Sequence, residues 1–173
     1  ISQNNNIPRI KKIIAAMSAR LGRPAGDRTD EKMRGHLSDI MKSGAYTFPT
    51  PEAIRSNGIA LLAELRTGFR AKYIYDAADK FSSGEISAQM ISDAPDTAAA
   101  AEILKTIKGV GPKVAACALL FGFERYDAFP IDVWIRRVME KYFPADYNAA
   151  SLGSYAGIAQ QYLFYYERYH GGE

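Results

Sequence analysis

Lys113 opens a helix directly after the segment Lys108-Gly109-Val110-Gly111-Pro112, and Asp132 follows it nineteen residues later, across one helix and one loop. The positive end of a helix disfavours an ammonium ion. Partial burial beside Cys117 and Leu120 would disfavour it further. Both effects favour the neutral amine, which is the nucleophilic form. A fixed carboxylate, for its part, stabilises the positive charge that develops at an anomeric carbon when a base leaves a sugar. An amine can then capture that carbon as a Schiff base. Each residue also has a plainer reading. Position alone favours a phosphate-binding lysine for Lys113, and local sequence favours a helix cap for Asp132. Their separation lets both face a common cleft.

The elements that would position this pair start with the glycine turn. Gly109 and Gly111 flank one apolar residue, so the chain can reverse tightly between two helices, with Val110 plugging the space between them. The turn and the following helix start offer backbone N–H groups suited to a DNA phosphate. Lys108, Gly109 and Gly111 are the residues expected to meet it, with Lys105 adding charge nearby. A plain helix-helix turn is the alternative. A dinucleotide fingerprint is excluded, because a helix precedes the glycines and no third glycine follows in place.

The rest of the chain also reads as helix. Helical spacing covers Ile7 to Leu21, and Asp30 could cap a helix through Met41. Ser43 to Pro51 reads as a loop. Short helices follow over Ile59 to Leu65 and Phe69 to Phe81, and Pro95 opens another through Ile107. Pro112 opens the helix that runs to Gly122. Ile131 to Tyr142 and Ser151 to Tyr169 complete the set. No convincing strand, heptad array or repeat is present, so the predicted class is all-α.

Composition narrows the field. The 173 residues are 47% apolar and 24% charged, with net charge +3, which suits one domain or two small lobes. Cys117 is the single cysteine, and His36 and His170 are the two histidines, so a disulfide framework, a four-cysteine cluster and a structural zinc site are not expected. No apolar run reaches the length of a membrane span. The expectation is an intracellular chain, in cytoplasm and nucleoid or in nucleus, that starts at Ile1 as part of something longer.

At Gly109-Val110-Gly111-Pro112-Lys113-Val114-Ala115-Ala116-Cys117 and Phe129-Pro130-Ile131-Asp132-Val133 the sequence resembles the HhH-GPD superfamily of DNA glycosylases, most closely its 8-oxoguanine branch. The similarity covers almost the whole chain. It implies that Lys113 forms the Schiff base and Asp132 stabilises the sugar cation. Asn4-Asn5-Asn6-Ile7-Pro8-Arg9 resembles a segment in which the first asparagine fills the gap left by a flipped nucleotide and the arginine contacts the orphaned cytosine. Those roles fall to Asn4 and Arg9. Gly68-Phe69-Arg70 resembles a wedge segment, with Phe69 inserted in the stack and Arg70 also reading cytosine. The last helix resembles one that supplies a glutamine to the Watson–Crick edge and an aromatic to its face, opposite the cysteine. Those roles fall to Gln160, Phe164 and Cys117. Without the resemblance, Phe69 and Phe164 read as core, Cys117 as a buried structural thiol, and Asn4 to Asn6 as a helix cap.

Two departures stand out. Trp134 occupies a position where many eukaryotic members carry histidine, and Glu167 one near an aspartate. The N-terminal sheet domain usual in the family is expected to lie outside residues 1–173, and the tyrosines of the last helix are expected to pack partly against it. The resulting expectation is a two-lobed helical domain, residues 1–126 ending in the hairpin (about 98–122) and residues 127–173 carrying Asp132 and the base pocket. Damaged double-stranded DNA would bind in the cleft, to a monomer that needs no metal or other cofactor. The activity implied is removal of 8-oxoguanine opposite cytosine, with β-elimination. Alternatives are a glycosylase for another damaged or mismatched base, which Lys113 disfavours, and a non-catalytic helix-hairpin-helix module.

Overall fold

A computed structural model describes residues 1–25 and 46–170 of the chain. The helix expected from Asp30 to Met41 lies outside the described residues. Among those described, helices account for the regular structure, with one isolated bridge between Pro24 and Tyr46. The chain divides into two compact units, Ile1–Glu85 and Ile86–Glu173.

In the first unit, α1 (Ile7–Leu21) begins where Asn6 caps it, its side chain accepting from the Arg9 amide at 2.9 Å. Ile13 and Met17, four apart, form its buried face. Pro51, the last residue expected as loop, instead starts a helix, α2 (Pro51–Glu64), broken at Gly58 with φ 74°. Pro51 takes the first helical position and Thr50 caps it, so the same proline that suggests a loop also suits a helix start. A 3₁₀ turn, Gly68–Arg70, leads into α3 (Ala71–Ser83), which begins two residues later than the spacing predicts. Ile13, Met17, Ile54, Leu62, Ala71 and Ala78 make the core of this unit.

The second unit holds α4 (Ala88–Ser92), α5 (Thr97–Lys105), α6 (Pro112–Gly122), α7 (Val133–Tyr142) and α8 (Ala156–His170). Asp96 and Asp132 cap α5 and α7, which moves both starts two residues past the expected ones. The final helix is also shorter than expected, because residues Ala149–Tyr155 form a 3₁₀ stretch interrupted at Gly153, φ 74°. α5 packs on α6 and α7 on α8.

Gly157 ties the last helix to the end of α6. Its amide donates to the Tyr126 carbonyl at 2.7 Å. A Cβ there would lie 2.2 Å from the Ala128 carbonyl oxygen and 2.7 Å from Leu120 Cδ1. The last helix is thereby pressed onto the end of α6 and the loop after it, so the hairpin and the C-terminal helices share one core. Backbone oxygen cannot swing aside as a side chain can. Gly157→Ala is therefore expected to destabilise the chain by about 3 kcal/mol, the upper end for overpacking. That lowers a thermal midpoint by roughly 6–12 °C. An unshifted melting curve would show that the close approach carries no weight.

Candidate active site

The hairpin comes first because it sets where α6 begins. Ile107 and Leu104 are buried, Val110 is half-buried, and the Val110 amide donates to the Ile107 carbonyl at 3.0 Å. Gly109 has φ 81°, a conformation that L side chains adopt at a penalty of about 1–2 kcal/mol. Gly111 differs. Its φ is −96° and a Cβ would meet nothing within 4 Å, so neither backbone nor packing demands glycine there. It caps α6 without a side-chain hydrogen bond, which leaves the space before the first turn of the helix clear. Gly109→Ala is thus expected to lower stability by about 1–2 kcal/mol. Gly111→Ala should melt within about 0.5 kcal/mol of the parent, and the phosphate-binding role implied by the sequence predicts a roughly tenfold loss of DNA affinity, the worth of one charge-assisted contact. Paired melting curves and anisotropy titrations check this. Equal affinity of the Gly111 variant and the parent would remove the phosphate role.

Lys113, Cys117 and Phe121 follow one another at four-residue spacing along α6 and line a cavity of about 160 Å³. Pro130 and Asp132, before α7, and Gln160, Gln161 and Phe164, on α8, complete it. All five residues expected at the nucleophile and base pocket therefore meet in one place. Phe121, Pro130 and Gln161 were not anticipated. Phe121 continues the spacing of Lys113 and Cys117, so periodicity alone could have found it.

Lys113 is exposed, against the partial burial expected, because burial along α6 begins only at Ala115. Cys117 is half-buried. Burial pushes its thiol above the usual range, while the Lys113 ammonium and a hydrogen bond from Lys113 pull it back in part. At neutral pH it stays a neutral thiol. Asp132 serves as a cap as well as a wall of the cavity. Its Oδ1 accepts from the Trp134 amide at 3.0 Å and the Ile135 amide at 2.9 Å. Both bonds use one oxygen, so Oδ2 is the one left for the cavity. Gln160 is 3% exposed and donates from Nε2 to the Pro130 carbonyl at 3.0 Å. Beyond the cavity, Trp134 lies under the Arg137 guanidinium, 5.0 Å from its ring centre. Glu167 is buried, with Oε2 lacking a hydrogen bond and Lys141 Nζ 3.8 Å away.

The other expected residues gather in the first unit. Asn4 has φ 46°, and the turn it makes is held by Arg70. Arg70 is 3% exposed. Its Nε donates to the Gln3 carbonyl at 2.7 Å, Nη1 to Thr67 at 3.4 Å and Nη2 to Asn4. The structure thus gives Arg70 a local task, clamping the Asn4 turn, distinct from the base-reading role that the resemblance implies. Phe69 is exposed, packed edge-on against Tyr73 with the Arg70 guanidinium 4.4 Å from its ring centre. Plain core packing does not describe it. The Arg9 guanidinium donates to the Arg66 carbonyl at 3.3 Å. Together with Lys12 and Arg66 it lines an open groove of about 640 Å³ in which Glu64 is the one acidic residue. Residues 1–25 carry Arg9, Lys11, Lys12, Arg20 and Arg23 and no acid.

No cluster of three or more His, Cys, Asp or Glu that could hold a metal occurs among the described residues, and none of their helices is long and apolar enough to cross a membrane. The tyrosines of the last segment, Tyr155, Tyr162, Tyr165, Tyr166 and Tyr169, are all exposed.

The pattern of HhH-GPD superfamily base excision DNA repair proteins matches residues 1–152. A probable N-glycosylase/DNA lyase of Methanothermobacter thermautotrophicus is 33% identical over 154 residues, covering 73% of this chain and 49% of its own length. The N-glycosylase/DNA lyase of Saccharomyces cerevisiae is 30% identical over 158 residues, covering 85% of this chain and 39% of its own. Among solved structures, the 8-oxoguanine glycosylase/lyase of Clostridium acetobutylicum, in complex with double-stranded DNA containing cytosine opposite 8-oxoguanine, is 34% identical. It aligns with TM-score 0.77 over 98% of this chain and 57% of that one. The chain spans about half the length of the relatives it matches.

Proposed function

Since the chain belongs to the HhH-GPD superfamily of base excision DNA repair proteins, we propose that it carries the catalytic centre of a bifunctional DNA glycosylase and abasic-site lyase, acting on 8-oxoguanine opposite cytosine. The observation that carries this reading is the meeting of Lys113, Asp132, Cys117, Gln160 and Phe164 around one small cavity. A hairpin that only binds phosphate has no use for a carboxylate, an amide and a ring facing its lysine.

A base buried in a duplex is out of reach, so the target nucleotide must leave the stack. Its base enters the cavity, with Phe164 and Cys117 against its faces and Gln160 at its edge. As the glycosidic bond breaks, Asp132 stabilises the cation that grows on the sugar. The Lys113 amine bonds to C1′ as the base departs, and the proton that the nitrogen sheds on bonding passes to the departing base. Ring opening gives a Schiff base between Nζ and C1′. Loss of a C2′ proton then expels the 3′ phosphate. Gly109, Gly111 and the first turn of α6 hold backbone phosphate, with Lys108 adding charge. Asn4 and Phe69 fill and prop the gap left by the flipped nucleotide, Arg9 faces the orphaned cytosine, and Arg70 holds the Asn4 turn from behind. Such an enzyme works where the cell keeps its DNA, in nucleoid or nucleus.

The test is to incubate the chain with sodium borohydride and one of three duplexes, carrying 8-oxoguanine:cytosine, an abasic site, or neither. Covalent adducts with the first two and none with the third are expected. An adduct with the abasic duplex alone would keep the lyase and remove the substrate assignment. No adduct with either, from a chain that binds DNA, would favour a non-catalytic module.

A further inference from the structure

We infer that Gln161 is a positioning residue that fixes which end of the Gln160 amide meets the base; this rests on the function proposed above. The two ends of a side-chain amide have the same shape and opposite hydrogen-bonding character. Which end points where decides what Gln160 can recognise. The Pro130 carbonyl oxygen has no hydrogen to give, so only Nε2 of Gln160 can face it, as it does at 3.0 Å. Turning the amide over would set two oxygens against each other. Oε1 of Gln160 must then lie on the other side, where Nε2 of Gln161 donates to it. The buried amide is therefore held at both ends.

This second bond is not a by-product of helix geometry. Neighbouring residues on a helix diverge by about 100° and do not face each other. Gln161 has to fold back along α8 to reach Gln160, and ordering a long side chain is unfavourable unless the contact returns something. It also lines the same cavity. What the contact returns is a fixed acceptor. Oε1 has two lone pairs, one taken by Gln161, and the other remains for a ligand. A guanine-type edge presents donors at N1 and N2, which match that acceptor. An adenine-type edge presents an unprotonated N1, which it repels. Gln161 in this way selects a guanine-type base through Gln160.

The experiment measures single-turnover excision of 8-oxoguanine and 8-oxoinosine, which lacks the N2 donor, from otherwise identical duplexes. The parent is compared with Gln161→Leu and Gln161→Glu, and lyase activity on an abasic duplex is followed alongside. The parent should prefer 8-oxoguanine. Gln161→Leu should shrink that preference roughly five- to tenfold, the worth of one neutral hydrogen bond. Gln161→Glu keeps the side chain's shape but brings an acceptor to Oε1, so it should lose more 8-oxoguanine excision than Gln161→Leu. Both variants should lose more on 8-oxoguanine than on the abasic duplex, where there is no base to read. The inference is overturned if Gln161→Leu keeps the parental preference, or if both variants lose lyase and excision in equal measure, as a structural defect would cause. A parent inert on 8-oxoguanine but active on abasic DNA would overturn the substrate assignment, and this inference with it.

Discussion

Lys113→Gln is expected to leave no borohydride-trapped adduct with an abasic duplex and to slow strand cleavage on the order of 10³-fold or more, as loss of a nucleophile does. The change is otherwise mild. Lys113 is exposed in the first turn of α6, and glutamine matches lysine in helix propensity. Melting should therefore stay within about 0.5 kcal/mol of the parent. One lost phosphate contact would lower the salt slope of binding by about 1. That combination of intact fold, nearly intact binding and absent adduct is what separates a nucleophile from a phosphate-binding lysine. The phosphate reading predicts a changed salt slope and unchanged trapping. A trapped adduct from the glutamine variant would mean that another amine forms the Schiff base.

Asp132 offers a sharper division, because two tasks fall on one carboxylate. Asparagine caps helices as well as aspartate does, so Asp132→Asn should keep the bonds to the Trp134 and Ile135 amides and melt like the parent. What it loses is the charge facing the cavity. Removing a preorganised electrostatic contact of this kind slows reactions roughly 10²- to 10³-fold, and single-turnover excision should fall by that factor. Asp132→Ala loses the cap too, at about 1 kcal/mol, which lowers the midpoint by roughly 2–4 °C. Excision by Asp132→Asn at the parental rate would reduce Asp132 to a cap. The cap reading and the catalytic reading, which look like rivals in the sequence, are compatible because a carboxylate has two oxygens.

How far the sequence discloses this site depends on the residue. α6 was legible from end to end, since Pro112 and Gly122 mark its limits and Lys113 and Cys117 share a face by spacing alone. The partners on α8 were placed by resemblance, because bringing residue 160 beside residue 117 is a matter of tertiary packing. The start of α2 was hidden by Pro51, a residue that serves loops and first turns alike. The seating of the last helix on the end of α6 was hidden as well, because the close approach of Gly157 to Ala128 and Leu120 has no local signature. Gln161 could not have been found at all. Adjacent helical residues ordinarily diverge, and its link to Gln160 shows only once the amide is seen held between Gln161 and the Pro130 carbonyl. Arg70 shows the reverse case. The resemblance implies a base contact for it, and the structure shows it buried with three bonds to backbone carbonyls.

Trp134 is the single tryptophan of the chain, among eleven tyrosines. Its amide donates one of the two bonds that Asp132 accepts, and its indole lies beneath Arg137. The chain therefore carries a built-in optical reporter at the first turn of α7. Selective excitation of the indole would follow that turn without any label. A shift in its emission as duplex DNA is titrated in would time the settling of the Asp132 turn against the appearance of cut strand.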